Sequence, residues 1–338
     1  MAPIVITSFV TTGEPGKFKE AKREVDGLKP HEILIKIRAS AICHTDCYYM
    51  GAPDLCLGHE PVGDVTQVGS DVGNFKVGDR AGFSYVKSAC CMCSECIAGR
   101  DNYCPDRVMF PGDGNNNGFA DQAVVDSRFA YHIPDAMSYV DAGPIMCAGA
   151  TVFNSLFSTA TSPTHRVAVV GVGGLGHLAL QFAKKWGTEV VAISTSDSKK
   201  EEATSFGANE FLNSRKFDDA AFLSSVEKFD LIINTTSADL PYDQYMSLLK
   251  PLGKFLVVGV PTKPMQVEGL PLILNGSAMQ GSQTGGRVSL NETLKFAARH
   301  NIRPQIEILP FTLDGLEQGI QRVLDNKARY RVVLTNEV

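Results

Sequence analysis

The sequence predicts an α/β protein of two domains, the first rich in strands and the second a doubly wound parallel sheet. Three observations carry this expectation. The chain has 338 residues, more than one ordinary domain. Its first part, to about residue 147, holds short β-like runs broken by glycine, proline and aspartate. From about residue 163, strand-like and helix-like segments alternate, as they do where helices cover a parallel sheet.

In the first part, residues 32–38, 62–68 and 122–125 read as strands. The run 17–24 mixes lysine, arginine and glutamate and reads as a solvated surface segment. In the second part, 166–170 is a short β-branched run, followed by a glycine cluster and a helix over 175–186. A strand at 189–193, a helix at 198–206, a strand at 229–234, a helix at 241–249 and a strand at 254–258 continue the alternation. A helix over 288–299 and a strand over 331–334 close the sequence and are placed to complete the first domain. No internal repeat or low-complexity tract interrupts this order.

Composition narrows the function. With 44% hydrophobic and 20% charged residues the chain is neither disordered nor collagen-like. A net charge of −5, from 32 basic and 37 acidic residues, disfavours a nucleic-acid partner. No apolar run reaches the roughly 18–20 residues of a membrane span. Residues 1–6 show no charged segment leading into a long apolar one, so a cytoplasmic location is expected. Nine cysteines in such a setting point to metal or redox chemistry before disulfides.

Cys90, Cys93, Cys96 and Cys104 form a C-x2-C-x2-C-x7-C array. Short loops deliver four thiolates to a closed, tetrahedral structural zinc at such spacings. The spacing favours zinc over buried free thiols or an iron–sulfur cluster. Cys91 falls at the wrong step and reads as a bystander. A second set is dispersed: Cys43 in Cys43-His44-Thr45-Asp46, His59 in Gly58-His59-Glu60, and Cys147 before Ala148-Gly149. Each alone is weak. Together they supply two thiolates and an imidazole, the three protein ligands of a catalytic zinc that keeps its fourth position open. Asp46 is placed to accept from the other ring nitrogen of His59 and fix its tautomer.

Gly171-Val172-Gly173-Gly174-Leu175-Gly176 matches G-x-G-x-x-G between an expected strand and an expected helix. That context lets the backbone approach a pyrophosphate at a helix N-terminus. The next strand ends in Ser194-Thr195-Ser196-Asp197-Ser198-Lys199. An NAD site usually has an acid there for the ribose 2′-hydroxyl. Small hydroxyls followed by Lys199 favour a 2′-phosphate and hence NADP, with Asp197 as the competing acid.

With these motifs in hand, the chain resembles the zinc-dependent medium-chain alcohol dehydrogenases. The segment Ile193-Ser194-Thr195-Ser196 with Lys199-Lys200-Glu201-Glu202-Ala203, the stretch Leu248 to Lys254, and Arg329-Tyr330-Arg331-Val332-Val333 are most similar to the cinnamyl alcohol dehydrogenase branch. The resemblance implies a GroES-like catalytic domain over 1–150 and 286–338, with a structural zinc lobe near 88–105. It implies a Rossmann domain over 151–285, a cleft between the two, two zinc ions per chain, NADP(H) and a homodimer. It implies hydride transfer between NADP(H) and a primary alcohol or aldehyde. Cys43, His59 and Cys147 are then the catalytic zinc ligands, and Glu60 the acid that approaches the metal during ligand exchange. Thr45 hands a proton to or from the substrate oxygen. His44 lies near the pyrophosphate, Thr151 beside the nicotinamide, and Ser194, Thr195, Ser196 and Lys199 around the 2′-phosphate.

The chain departs from the family at Tyr48, where a histidine commonly continues the proton relay, and in a shortened stretch over 49–57. Tyrosine can still donate and accept, but its ordinary pKa is about 10 against about 6.5 for histidine. Tyr48, Tyr49, Met50 and Phe119 are candidates both for pocket walls and for core packing. If they line a pocket, an aromatic or apolar aldehyde is expected. The alternatives are a reductase of the same family acting on a C=N or conjugated C=C bond, and a non-catalytic dinucleotide-binding protein.

Overall fold

The computed structural model describes residues 3–112 and 115–336. The chain divides into two compact units, Met1–Ala150 with Thr284–Val338, and Thr151–Gln283.

The first unit is built on a seven-stranded sheet. Its axis is the strand Glu32–Ile42, where nearly every side chain is at least partly buried. That strand pairs antiparallel with Glu60–Val68, Gln122–Asp126 and Arg331–Thr335. Ile306–Pro310 runs parallel to Arg331–Thr335, and Arg80–Phe83 bridges Glu60–Val68 to Ala130–His132. A long apolar strand can be buried on both faces only if other elements cover it. Ile33, Ile35, Phe83, Phe119, Ile320 and Val332 form part of the resulting core. The segment 17–24 is more ordered than its charges suggest. Phe18–Val25 is a strand paired with Ile4–Thr11, its Phe18 buried and its charged side chains half-buried or exposed. Sequence periodicity also passed over the helix Leu313–Leu324, whose Leu316, Gly319 and Ile320 face inward.

The second unit is a six-stranded parallel sheet. Counted along the chain, its strands are Arg166–Val170, Glu189–Ser194, Glu210–Asn213, Phe229–Asn234, Leu249–Val257 and Ala278–Gly281. Their order in space is third, second, first, fourth, fifth, sixth. This is the doubly wound order, which reverses direction beside the first strand. The central strand Arg166–Val170 is wholly buried, as continuous β-branched runs in parallel sheets are. Phe217, Phe229, Tyr245 and Phe255 pack with Ala168 and Ile193 into one core.

The four-cysteine segment forms a small lobe of the first unit, in which Cys96, Cys104, Val86 and Phe129 pack together. An ion pair ties it to the helix Arg287–Arg299. The buried Asp101 carboxylate accepts from the Arg287 backbone N–H at 2.9 Å and from Nη2 at 2.8 Å. The same guanidinium lies 5.0 Å from the centre of the Phe129 ring. Burial works to raise the Asp101 carboxyl, but the hydrogen bonds and charge of Arg287 outweigh it and hold the group below the usual carboxylate range. A lowered folded-state pKa stabilises the fold above the unfolded value of about 3.9, and that stabilisation is lost as pH falls through the folded value. Asp101→Asn is expected to cost about 2 kcal/mol at pH 7. The deficit should shrink in denaturant unfolding repeated below pH about 4.

Candidate active site

Strand Glu32–Ile42 ends in the short helix His44–Cys47, with Cys43 as its N-cap in extended conformation. Asp46 closes this turn. Its Oδ2 accepts from the Cys43 N–H at 2.9 Å. Its Oδ1 accepts from the Gly58 N–H at 3.1 Å and lies 3.0 Å from His59 Nδ1. One buried carboxylate thus fixes two loops that are distant in sequence. Gly58 has φ +89°, and a Cβ there would stand 2.7 Å from the Phe119 ring, so only glycine lets the loop pass.

Two thiol sulfurs, an imidazole nitrogen and a carboxylate oxygen, from Cys43, Cys147, His59 and Glu60, lie within 4.8 Å of one another. His59 is fully buried, and its Nε2 has no hydrogen-bond partner among the described residues. With Nδ1 facing Asp46, Nε2 is the ring nitrogen left for the sulfurs; burial works to lower the His59 pKa, but the charges of Asp46 and Cys43 outweigh it and raise it, and a bound cation would take the place of that proton. An orphaned imidazole lone pair beside two thiols is a donor set for a zinc ion. A hydrogen bond from the Cys147 thiol holds the Cys43 thiol well below its ordinary pKa, and the same bond together with burial pushes Cys147 well above it. The two sulfurs compete for one proton, a conflict that a shared cation removes.

Glu60 is completely buried, and both of its carboxylate oxygens accept from Arg331 Nη2 at 2.6 Å. Burial pushes its pKa up to about 7 against the pull of Arg331. The guanidinium sits among Glu60, Cys43 and Cys147, whose negative charges raise its own pKa despite burial. Arg331 is a site residue that sequence reasoning did not single out. Its signal was an arginine opening an otherwise apolar terminal strand, where a charge needs a buried partner.

In the second metal candidate, the ligand atoms of Cys90, Cys93, Cys96 and Cys104 also lie within 4.8 Å of one another. Cys90 Sγ is 3.5 Å from that of Cys104 and 3.9 Å from that of Cys96. Sulfurs about 2.3 Å from one central zinc would be about 3.8 Å apart in a tetrahedron. Backbone N–H groups of Met92 and Cys93 draw the Cys90 thiol down to about 7. Cys91 has φ +62° and donates to the Ala89 carbonyl at 3.4 Å, outside the four-thiol set.

The remaining residues divide between the units. Thr45 is half-buried, two residues after Cys43. His44 and Tyr48 are exposed and meet edge to face at 5.5 Å. Tyr49 is half-buried, with its ring edge-on to Phe110 at 5.5 Å. Met50 and Phe119 lie in the first unit's core. In the second unit, Gly171 through Gly176 link Arg166–Val170 to the helix Gly176–Trp186, with Leu175 as N-cap. Gly171 has φ +90°, and a Cβ on Gly176 would stand 1.9 Å from its carbonyl oxygen, so Gly173 and Gly174 lie in a turn closed by glycines. Ser194 ends the following strand, Ser196 caps the next turn, and Lys199 meets Glu202 at 3.4 Å. Thr195 and Asp197 are exposed in that turn, and Thr151 is buried at the unit's first residue.

Asp46→Ala should weaken zinc binding by the Cys43 cluster about 10–100-fold and leave the four-cysteine lobe unchanged, as read by competitive zinc titration.

Residues 29–135 match the alcohol dehydrogenase GroES-like domain, and residues 174–299 match the zinc-binding dehydrogenase domain. A probable formaldehyde dehydrogenase of Bacillus subtilis is 38% identical over 94% of each chain. An NADP-dependent alcohol dehydrogenase of Mycolicibacterium smegmatis is 36% identical over 90% of each. Among solved structures, a cinnamyl alcohol dehydrogenase of Sorghum bicolor is similar with a TM-score of 0.90 and 32% identity, covering 98% of both chains. With two domain matches, full-length relatives and both thiol clusters in agreement, the chain belongs to the zinc-dependent medium-chain alcohol dehydrogenases.

Proposed function

We propose that this alcohol dehydrogenase interconverts a primary alcohol and its aldehyde with NADP(H), through a catalytic zinc held by Cys43, His59 and Cys147. The observation that carries this reading is the orphaned Nε2 of buried His59 among two thiols. Zinc bound there supplies Lewis acidity toward the substrate oxygen, while the nicotinamide carries the hydride. Asp46 keeps the Nδ1–H tautomer of His59, so the imidazole can bind zinc only through Nε2. Arg331 compensates the Glu60 carboxylate and holds both of its oxygens, so that Glu60 can move toward the metal only by giving up that pair. The Thr45 hydroxyl passes the proton to or from the substrate oxygen. Tyr48, 54% exposed, stands where a relay can meet solvent. A second zinc in the four-cysteine lobe stiffens that segment and takes no part in the chemistry.

NADP is favoured by the hydroxyls of Ser194, Thr195 and Ser196 beside Lys199, and by the NADP dependence named for the Mycolicibacterium relative. Asp197 is exposed at the start of a turn, which weakens its claim as the ribose-binding acid. The half-buried rings of Tyr49 and Tyr85, packed around Phe110, support an aromatic or apolar substrate. A homodimer is supported by the helix Gly269–Asn275, where Leu270, Ile273 and Leu274 are exposed, next to the sheet-edge strand Ala278–Gly281.

Two zinc ions per chain and NADPH-dependent reduction of cinnamaldehyde or benzaldehyde are the expected assay results. One zinc per chain, or turnover unchanged in Cys43→Ala, would overturn the assignment. Lys199→Ala should raise the KM for NADPH about tenfold and leave that for NADH unchanged, as expected when one charge-assisted contact is lost. Ile273→Asp should shift the sedimentation coefficient from dimer to monomer.

A further inference from the structure

The backbone that presents Cys147 is unusual. Helix Tyr139–Pro144 runs directly into a π-helical turn, Ile145–Gly149, with Cys147 at its centre. The Ala150 N–H reaches the Ile145 carbonyl, five residues back. Pro144 has no N–H with which to continue the preceding ladder. A π turn holds one residue more than an α turn, which rotates the following side chains by about 100°. Such turns are rare and depend on support from their surroundings.

One side chain from outside the turn bonds to its backbone. Ser84, just beyond strand Arg80–Phe83, donates its hydroxyl to the Met146 carbonyl at 2.5 Å. Ser84 is 1% exposed and Met146 is fully buried, so no solvent stands ready to replace that hydroxyl. The Met146 carbonyl and the Cys147 N–H belong to one rigid peptide plane. Holding the carbonyl therefore holds the peptide plane from which the Cys147 backbone continues, and so narrows the directions open to its side chain.

We infer that Ser84 is a positioning residue for Cys147: its hydroxyl holds the π turn in the orientation that keeps the thiolate in the ligand cluster, and so controls how tightly that site retains zinc. The inference rests on the catalytic-zinc reading above. It assigns the control to a residue that touches neither metal nor substrate.

Ser84→Val and Ser84→Thr have nearly the same shape and differ in the hydroxyl, which separates hydrogen bonding from packing. Zinc release from the full-length holoenzyme to a chromogenic chelator is the first readout. The thiolate-to-cobalt absorption of the Co(II)-substituted protein is the second. S84V should release one of two zinc ions about 10–100-fold faster than wild type and shift the cobalt band, while the other ion leaves at the wild-type rate. S84T should restore both readouts to near wild type. Equal release from S84V and S84T, or loss of both ions together from S84V, would overturn the inference. Wild-type protein with a single zinc per chain would overturn the reading beneath it.

Discussion

Two loops of the first unit meet at one buried carboxylate. Asp46 makes three contacts at 2.9–3.1 Å, to the Cys43 backbone, the Gly58 backbone and the His59 ring. Short charge-assisted hydrogen bonds of this kind are stronger than neutral ones, and burial removes the water that would compete for them. The loop after one strand and the loop before the next are thereby locked at a common point. Joined through Asp46, they present thiol and imidazole in a fixed relation before any metal arrives.

The other half of the site has a different logic. Glu60, Cys43 and Cys147 bring negative charge into a buried volume, and Arg331 is the protein's own cation there. A carboxylate buried alone would be driven to its protonated form, and Arg331 opposes that drive without abolishing it. The guanidinium comes from strand Arg331–Thr335, which pairs with the strand leading into Cys43. Backbone register thus sets the electrostatics: a slip of one residue would turn the arginine to the other face of the sheet.

Much of this was legible in the sequence because it rests on local pattern. The doubly wound unit follows from alternating segments, and its glycine turn from a motif of six residues. The four-cysteine lobe is contained within fifteen residues, Cys90 to Cys104. The missed features are non-local. Phe18–Val25 becomes a strand because Ile4–Thr11 lies beside it, although its own residues look like surface. Arg331 gains its meaning from Glu60, far away in the chain, and no spacing rule connects them. Met50 and Phe119 show the reverse: adjacent to metal motifs in sequence or loop, they are claimed by the core. The π turn at Cys147 involves Pro144 and a hydroxyl from Ser84, far away in the chain, a combination that periodicity does not register.

The discontinuity of the first unit carries a consequence for synthesis. Its central strand Glu32–Ile42 waits for Arg331–Thr335, and the whole second unit is made in between. At about 5–20 residues per second, the ribosome needs roughly 15–60 s to supply those intervening 300 or so residues. The four thiols of the cysteine lobe are all made within fifteen residues, although its Asp101 still waits for Arg287. Cys43 and His59 must spend that interval without their last sheet neighbour and without Arg331. The two sulfur clusters therefore differ in how much chain must be made before their ligand residues are all present: fifteen residues bracket one, and the other also needs the sheet neighbour that brings Arg331.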